Sequence, residues 1–282
     1  MPEFTSDDVP RANGMPRLGL GTWENTDPDA CANAVETALE TGYRHIDTAQ
    51  AYGNEEDVGR GLANADVDRE DVFLATKVWI DHADHDGVIE STEESLEKLG
   101  VDYVDLLYIH WPGRTYDPEE TLPALEELKD EGKIEHIGVS NFERRHVEEA
   151  QEVMDEPIFA NQVEMHPFLQ QRQLRSFMAE ETDIELVAYS PLARGDVFGD
   201  DVLADIAEDH DASEAQVALA WLREKGVTAI PKATSESHIR DNWESLGVDL
   251  ADEEVRRIDA IDTVERRVDP GFAPWNDLPD DR

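Results

Sequence analysis

The chain has 282 residues; 67 are Asp or Glu and 24 are Lys or Arg, a formal charge of −43 at neutral pH. That balance excludes a nucleic-acid binder working by phosphate neutralisation, which needs a basic face, and it opposes contact with anionic lipid headgroups. Six Trp, eight Phe and regular aliphatic runs still supply a folded core, and no apolar run approaches the roughly 18 residues that cross a bilayer.

Ahead of the first strand-like run, Asn13-Gly14 within VPRANGMPRL is a two-residue hairpin signal, read as a small hairpin that plugs the bottom of a barrel. Apolar, β-branched or aromatic runs then recur at 18–23 (LGLGTW), 43–49 (YRHIDTA), 72–78 (VFLATKV), 104–110 (VDLLYIH), 134–140 (IEHIGVS), 158–164 (IFANQVE), 184–190 (IELVAYS) and 227–233 (VTAIPKA). Each gap holds a helix-like stretch, such as DACANAVETALETG or PEETLPALEELKDEGK. Asp117 and Pro118 open the latter helix and Gly132 closes it. The long last gap has room for an extra loop, SPLARGDVFGD, and for helical patterns at 202–209 and 213–225; a long loop after a barrel strand commonly covers a ligand. Beyond the eighth unit, ADEEVRRIDAID reads as an additional helix and VERRVDPGFAPWNDLPDDR as an irregular tail. Apolar strands alternating with helices predict a parallel sheet, and eight units in a row predict closure into a (β/α)8 TIM barrel, with residues 1–282 as one domain.

Cys31 is the single cysteine, so no intramolecular disulfide forms, and the start MPEFTSDD has neither the basic region nor the apolar stretch of a signal peptide. A reducing cytoplasm is the expected location. Only six of the 24 cations are Lys, and carboxylates are spread along the whole chain. Acidity over the entire surface suits a salt-rich interior, a halophilic setting in which dense carboxylates stay hydrated and the Debye length falls to about 3 Å at 1 M salt. No extended apolar stripe is left unassigned, so a monomer is expected.

In barrels the reacting groups sit at the C-terminal strand ends. Asp47 ends the second run, Lys77 the third and His110 the fourth, while Tyr52 follows Asp47 in AQAYGNE, where Gly53 and Asn54 turn the chain and cap the next helix. A Tyr with its unperturbed pKa near 10 is a poor acid at neutral pH, but an adjacent ammonium favours the phenolate, and Lys77 can supply one. Asp47 would hold that ammonium in place, and His110 could donate a hydrogen bond to a carbonyl oxygen. The set suits delivery of a proton to a developing alkoxide. A rival nucleotide signal fails: Gly19-Leu20-Gly21 begins a GxG, but Glu24 stands where GxGxxG needs its third Gly. His82 and His85, among Asp81, Asp84 and Asp86, read more simply as a solvated acidic loop than as a metal site, and no metal is expected.

Three segments, GYRHIDTAQAYGNE (42–55), LEKLGVDYVDLLYIHWP (96–112) and IPKATSESHIRDN (230–242), resemble the signature regions of the aldo-keto reductase family. The resemblance implies a barrel that transfers a hydride from a nicotinamide cofactor to an aldehyde or ketone. In that frame Tyr52 is the general acid, Lys77 and Asp47 its tuning pair, and His110 the carbonyl orienter. The resemblance also implies that Ser140, Asn141 and Gln162 hold the nicotinamide carboxamide, that Tyr189 stacks on the nicotinamide, and that Thr22 belongs to the cofactor site. The loop 190–195, with Ser190 and Leu192, would lie over the pyrophosphate; Lys232 would meet the adenosine 2′-phosphate, Thr234 and Ser235 would offer hydroxyls, and Asn242 would lie near the adenine. Members that prefer NADPH usually carry an Arg where this chain has His238, and Arg240, two residues on, faces elsewhere on a helix. NADP(H) is therefore expected, with NAD(H) usable as well. Trp23, Trp79, Trp111 and Trp275, with His110, would form the substrate wall, and a tail shorter than that of steroid-binding members suits a small or sugar-like carbonyl. Two other functions use the same frame: a nicotinamide-binding, redox-sensing regulatory subunit, and the same chemistry run chiefly as an alcohol or sugar dehydrogenase. The filled set of four residues favours an enzyme over the sensor.

Overall fold

The Asn-Gly pair makes the expected hairpin. In the computed structural model, which describes residues 4–277, β1 (Arg11–Ala12) and β2 (Met15–Pro16) pair antiparallel. Asn13 and Gly14 between them have φ of 49° and 95°, the two positive values that a type I′ turn requires. Eight parallel strands follow in chain order, each hydrogen-bonded to the next: β3 (Leu20–Gly21), β4 (His45–Asp47), β5 (Phe73–Val78), β6 (Val104–Ile109), β7 (Ile134–Ser140), β8 (Ile158–Glu164), β9 (Glu185–Tyr189) and β10 (Thr228–Ala229). Each predicted apolar run contains one of them.

The first and last strands are shorter than their runs. Residues 22–23 and 230–233 continue past the regular strands at the rim, where Thr22, Trp23 and Lys232 line the main cavity. The seam between these strands is nonetheless closed: Gly19 N donates to Ala229 O at 2.9 Å and Gly21 N to Pro231 O at 3.1 Å, with parallel bridges at Leu18–Ala229 and Gly21–Lys232. A Cβ on Gly21 would lie 2.7 Å from Ile230 O, so the close backbone approach at the seam requires glycine there.

Helices fill the gaps: α1 (Pro28–Thr41), α2 (Glu55–Asn64), α3 (His85–Leu99), α4 (Pro118–Asp130), α5 (Arg144–Val153), α6 (Arg172–Glu181), α7 (Asp201–His210), α8 (Glu214–Glu224), α9 (Glu236–Glu244) and α10 (Asp252–Asp259). Part of the acidic composition serves their N-termini. The side chains of Asp27, Asp84, Asp117 and Asp200 accept backbone amides in the first turns of α1, α3, α4 and α7, satisfying orphan donors and opposing the positive end of the helix dipole. The extra helix α10 packs on α7 and α8, and the tail turns back over the top of the barrel. The last five residues of the predicted irregular tail lie outside the described residues.

Strand alternation decides what enters the barrel. Leu74, Val78, Leu107 and Ile109 join the outer core under the helices, whereas Phe73, Ala75, Leu106 and Tyr108 belong to an inner cluster that Met15 of the hairpin closes from below. With a period of two, Lys77 and His110 fall on the inner face at the C-terminal end.

Candidate active site

Lys77 is fully buried in the barrel mouth, and its ammonium has three neighbours: Asp47 Oδ1 at 2.5 Å, the Thr48 carbonyl at 2.8 Å and the Tyr52 hydroxyl at 3.5 Å. The second carboxylate oxygen of Asp47 accepts from Gln162 Nε2 at 2.7 Å. His110 meets the Tyr52 ring edge-on with centroids 5.8 Å apart, and its Nδ1 is buried without a hydrogen-bond partner among the described residues. The structure therefore brings Asp47, Tyr52, Lys77 and His110 together at one point of the rim.

The electrostatics differ from the simplest sequence expectation in one respect. Lys77 was expected to lower the Tyr52 pKa, yet burial, followed by the Asp47 carboxylate, holds that phenol well above its ordinary value near 10. The main cause is burial, which penalises a desolvated phenolate, and the Asp47 carboxylate adds to it. Tyr52 consequently keeps its proton at neutral pH. Burial lowers the Lys77 pKa while Asp47 opposes the shift, and burial, with Lys77 second, pulls His110 well below 6.5. The histidine is a neutral, polarisable hydrogen-bonding group.

Other predicted residues surround this point. Ser140, Asn141, Gln162 and Tyr189 form one bonded set: Tyr189 Oη donates to Asn141 Oδ1 at 2.9 Å, Asn141 Nδ2 donates to the His110 carbonyl and to Ser140 Oγ at 3.0 Å, and Ser140 Oγ donates to Gln162 O at 2.9 Å. Thr22 Oγ1 donates to Asp47 O at 3.1 Å. A cavity of about 650 Å³ is lined by Asp47, Tyr52 and His110 of the four and shares Trp23, Ser190, Arg194 and Lys232 with a second cavity of about 310 Å³ that Leu192, His238 and Asn242 also line. Thr234 and Ser235 do not line it; Ser235 Oγ instead accepts the His238 amide at 3.3 Å as the N-cap of α9. Arg240 points away and pairs with Glu236 at 2.9 Å.

Trp23, Trp79 and Trp111 line the main cavity, but Trp275 does not. It stands behind Trp111 at a centroid distance of 5.5 Å, its Nε1 bonded to Asp269 at 2.8 Å, because Phe272 has taken the wall position, edge-on to both Trp79 and Trp111. Asn54 also differs from expectation. It precedes α2 without capping it, and its side chain instead donates to the carbonyls of Thr22 and Asn25 at 2.9 and 3.1 Å and accepts from Thr48 Oγ1 at 3.1 Å.

A family model described as the Aldo/keto reductase family matches residues 14–263. The chain belongs to the aldo-keto reductase family. A glyoxal reductase of Bacillus subtilis is 41% identical over 94% of this chain and 96% of that protein, and a methylglyoxal reductase of Escherichia coli O157:H7 is 41% identical over 93% and 99%. A solved structure of a mutant of the protein Gox0644 in complex with NADPH superposes with a TM-score of 0.81 at 38% identity, covering 86% of this chain and 88% of that one.

The two cavities of this aldo-keto reductase meet at Trp23, Ser190, Arg194 and Lys232, and His110 and Tyr52 line the larger of them. Three contributors escaped the sequence reading. Arg194 lines both cavities with its guanidinium 4.4 Å from the Trp23 ring. It sits in a loop where Ser190, Ala193 and Arg194 all have positive φ (47°, 48° and 56°), strain of the kind held at ligand sites. Gln50 accepts the Trp79 amide at 2.9 Å and donates to Ser91 O and Ser95 Oγ at 3.1 and 3.2 Å, fixing one wall. Phe272 was hidden because nothing local in an irregular tail tells where it folds back.

His110 offers a pH test. Burial penalises the imidazolium, so proton uptake requires a pH well below 6.5. Ring-carbon NMR shifts of His110 should stay those of a neutral imidazole from pH 8 down to about 5.5; a midpoint at or above 6.5 contradicts this environment.

Proposed function

We propose that this NADPH-dependent reductase acts on small, reactive carbonyls, dicarbonyls and sugar-like keto compounds among them, with Tyr52 as the proton donor. The observation that carries the reading is the Tyr52 hydroxyl 3.5 Å from a fully buried Lys77–Asp47 pair, on the wall of an aromatic-lined cavity. The names of the glyoxal and methylglyoxal reductases to which the chain is similar support the substrate class.

A reduced nicotinamide, when bound, supplies a hydride. Everything else falls to the chain's own residues. Tyr189, Asn141, Ser140 and Gln162 would hold the ring at the cavity floor. Trp23, Trp79, Trp111 and Phe272 exclude water from the carbonyl, which strengthens each polar contact inside. Neutral His110 orients the carbonyl oxygen, and Tyr52 gives it a proton as negative charge develops. Lys77 matters at that moment: once the phenol loses its proton, the adjacent ammonium stabilises the phenolate that the resting site disfavours.

Lys232, Arg194 and His238 would meet the phosphate-bearing part of the cofactor, with Leu192 and Asn242 beside it. The reading extends to a monomer in a salt-rich cytoplasm, supported by the −43 charge and the single Cys31. Among the described residues, the exposed large apolar side chains are Val153, Phe198 and Val264, which lie on three separate segments.

Tyr52→Phe removes only the donor, so turnover of methylglyoxal with NADPH should fall by at least about 10²-fold while NADPH affinity by fluorescence titration stays near wild type. Retention of more than about a tenth of kcat would reject the assignment.

Cofactor choice tests the second cavity. An imidazole lacks the permanent charge and bidentate fork of a guanidinium, so the wild type should use NADH as well as NADPH. His238→Arg should raise kcat/KM for NADPH by about tenfold, the lower end of a charge-assisted hydrogen bond, with little change for NADH. Lys232→Gly should erode the NADPH preference. An unchanged cofactor ratio in both variants would show that neither side chain faces the 2′-phosphate.

Salt provides a further check. Self-repulsion at −43 weakens as the Debye length shrinks, so the midpoint of thermal unfolding and the turnover rate should both rise from dilute to molar KCl. Flat or falling midpoints would remove the halophilic reading.

A further inference from the structure

Glu164 ends β8, two residues beyond Gln162, and is fully buried. None of the proton-handling or cofactor-facing steps above uses it. Its two carboxylate oxygens accept the backbone amides of Arg267 and Val268 at 2.6 and 2.9 Å, and His166, equally buried, places Nε2 3.0 Å from Oε1. A carboxylate that collects donors on both oxygens only accepts, so His166 Nε2 carries the hydrogen. In the same segment Glu265 N donates to the Phe168 carbonyl at 2.8 Å, and the residues that follow the two amides, Asp269, Pro270 and Phe272, line the main cavity. The Arg267 side chain runs the other way, to Asp196 Oδ2 at 2.5 Å and to Glu265, at the end of the loop that carries Ser190 and Arg194.

We propose that Glu164 is a positioning residue that latches the C-terminal segment over the active site, and that this latch sets which carbonyls the enzyme accepts. The segment has no secondary structure of its own between α10 and residue 270, so its path depends on such anchors. Charge-assisted bonds from backbone amides to a buried carboxylate are strong and leave an unsatisfied buried group when one partner is removed. With the amides of 267 and 268 held, Phe272 is brought edge-on to Trp79 and Trp111, and the wall takes a fixed shape. Through the guanidinium of Arg267 the same anchor connects the substrate wall to the loop on the cofactor side.

Two variants approach the latch from opposite sides. Glu164→Gln keeps size but turns an NH2 group toward one of the two amides. Val268→Pro deletes one amide from the tail and leaves Glu164 in place; because Val268 also lines the main cavity beside Trp111, this variant is read by exchange, which decides the latch if the first variant does not fold. Hydrogen exchange across 265–273, measured without substrate, should accelerate at least about tenfold in both. With NADPH saturating, KM for a bulky aromatic aldehyde should rise about tenfold in Glu164→Gln, while kcat for methylglyoxal stays within about twofold. Unchanged exchange in a folded variant, or an equal loss for both substrates, overturns the proposal. The kinetic arm rests on the reductase reading, and the exchange arm does not. A wild type that turns over neither carbonyl removes that reading, while exchange at 265–273 still decides the latch.

Discussion

The site is organised around one buried ion pair. Lys77 cannot reach water from inside the barrel mouth, so the three acceptors it meets, on Asp47, Thr48 and Tyr52, fix the ends of β4 and β5 and the loop between β4 and α2 in one arrangement. Gln162 extends the constraint across the barrel to β8. Burying two charges is costly, and a well-packed apolar pair of similar volume would often be as stable. Removing one partner alone costs about 3–5 kcal/mol, because it strands the other. The pair is therefore better understood through chemistry than through stability: it is a charge reserve, an ammonium held beside the Tyr52 hydroxyl.

That reserve works only if Tyr52 stays within reach, and its loop has little regular structure to hold it there. Side-chain bonds do so instead. Asn54 ties the loop to the carbonyls of Thr22 and Asn25, Gln50 ties it to α3 and to Trp79, and the buried Glu55 carboxylate accepts the Thr76 hydroxyl at 2.7 Å and the Ser95 hydroxyl at 3.3 Å. Burial raises the Glu55 pKa against those hydrogen bonds, so this carboxyl contributes shape more than field. The same logic recurs on the opposite rim, where Glu164 holds the tail. A barrel supplies rigid strand ends, and polar side chains at those ends extend the rigidity into the loops.

An acidic protein that binds an anionic cofactor has a long-range field to overcome. The local answer lies at the junction of the two cavities, where Arg194 and Lys232 both face the cleft. Arg194 is kept from folding back onto surface carboxylates by its stacking on Trp23, a cation–π contact that leaves the guanidinium edge free for hydrogen bonding. Elsewhere the carboxylates cap helices or pair with the few cations at the surface, where such pairs contribute little. Salt therefore acts on the global repulsion more than on the buried pair.

The sequence by itself determined the element order. Eight apolar runs, a hairpin dipeptide and helix caps are local signals, and strand alternation then dictates that Lys77 and His110 point inward at one end. It also determined the chemistry on offer, since Asp47, Tyr52, Lys77 and His110 sit at strand ends or in the next loop. Tertiary structure decided what depends on distance and dielectric. The sequence read Lys77 as lowering the Tyr52 pKa; only the contact with Asp47 and the depth of burial reverse that direction. Trp275 and Phe272 are both aromatic and three residues apart, and no local rule says which reaches the wall; the path of the tail, anchored on Glu164, makes it Phe272. Arg194 and Arg240 are equally cationic in sequence, but one stacks over the cleft while the other pairs along a helix with Glu236. Chain order follows from short-range patterning, whereas pKa values, wall composition and free charge follow from which distant residues share one desolvated space.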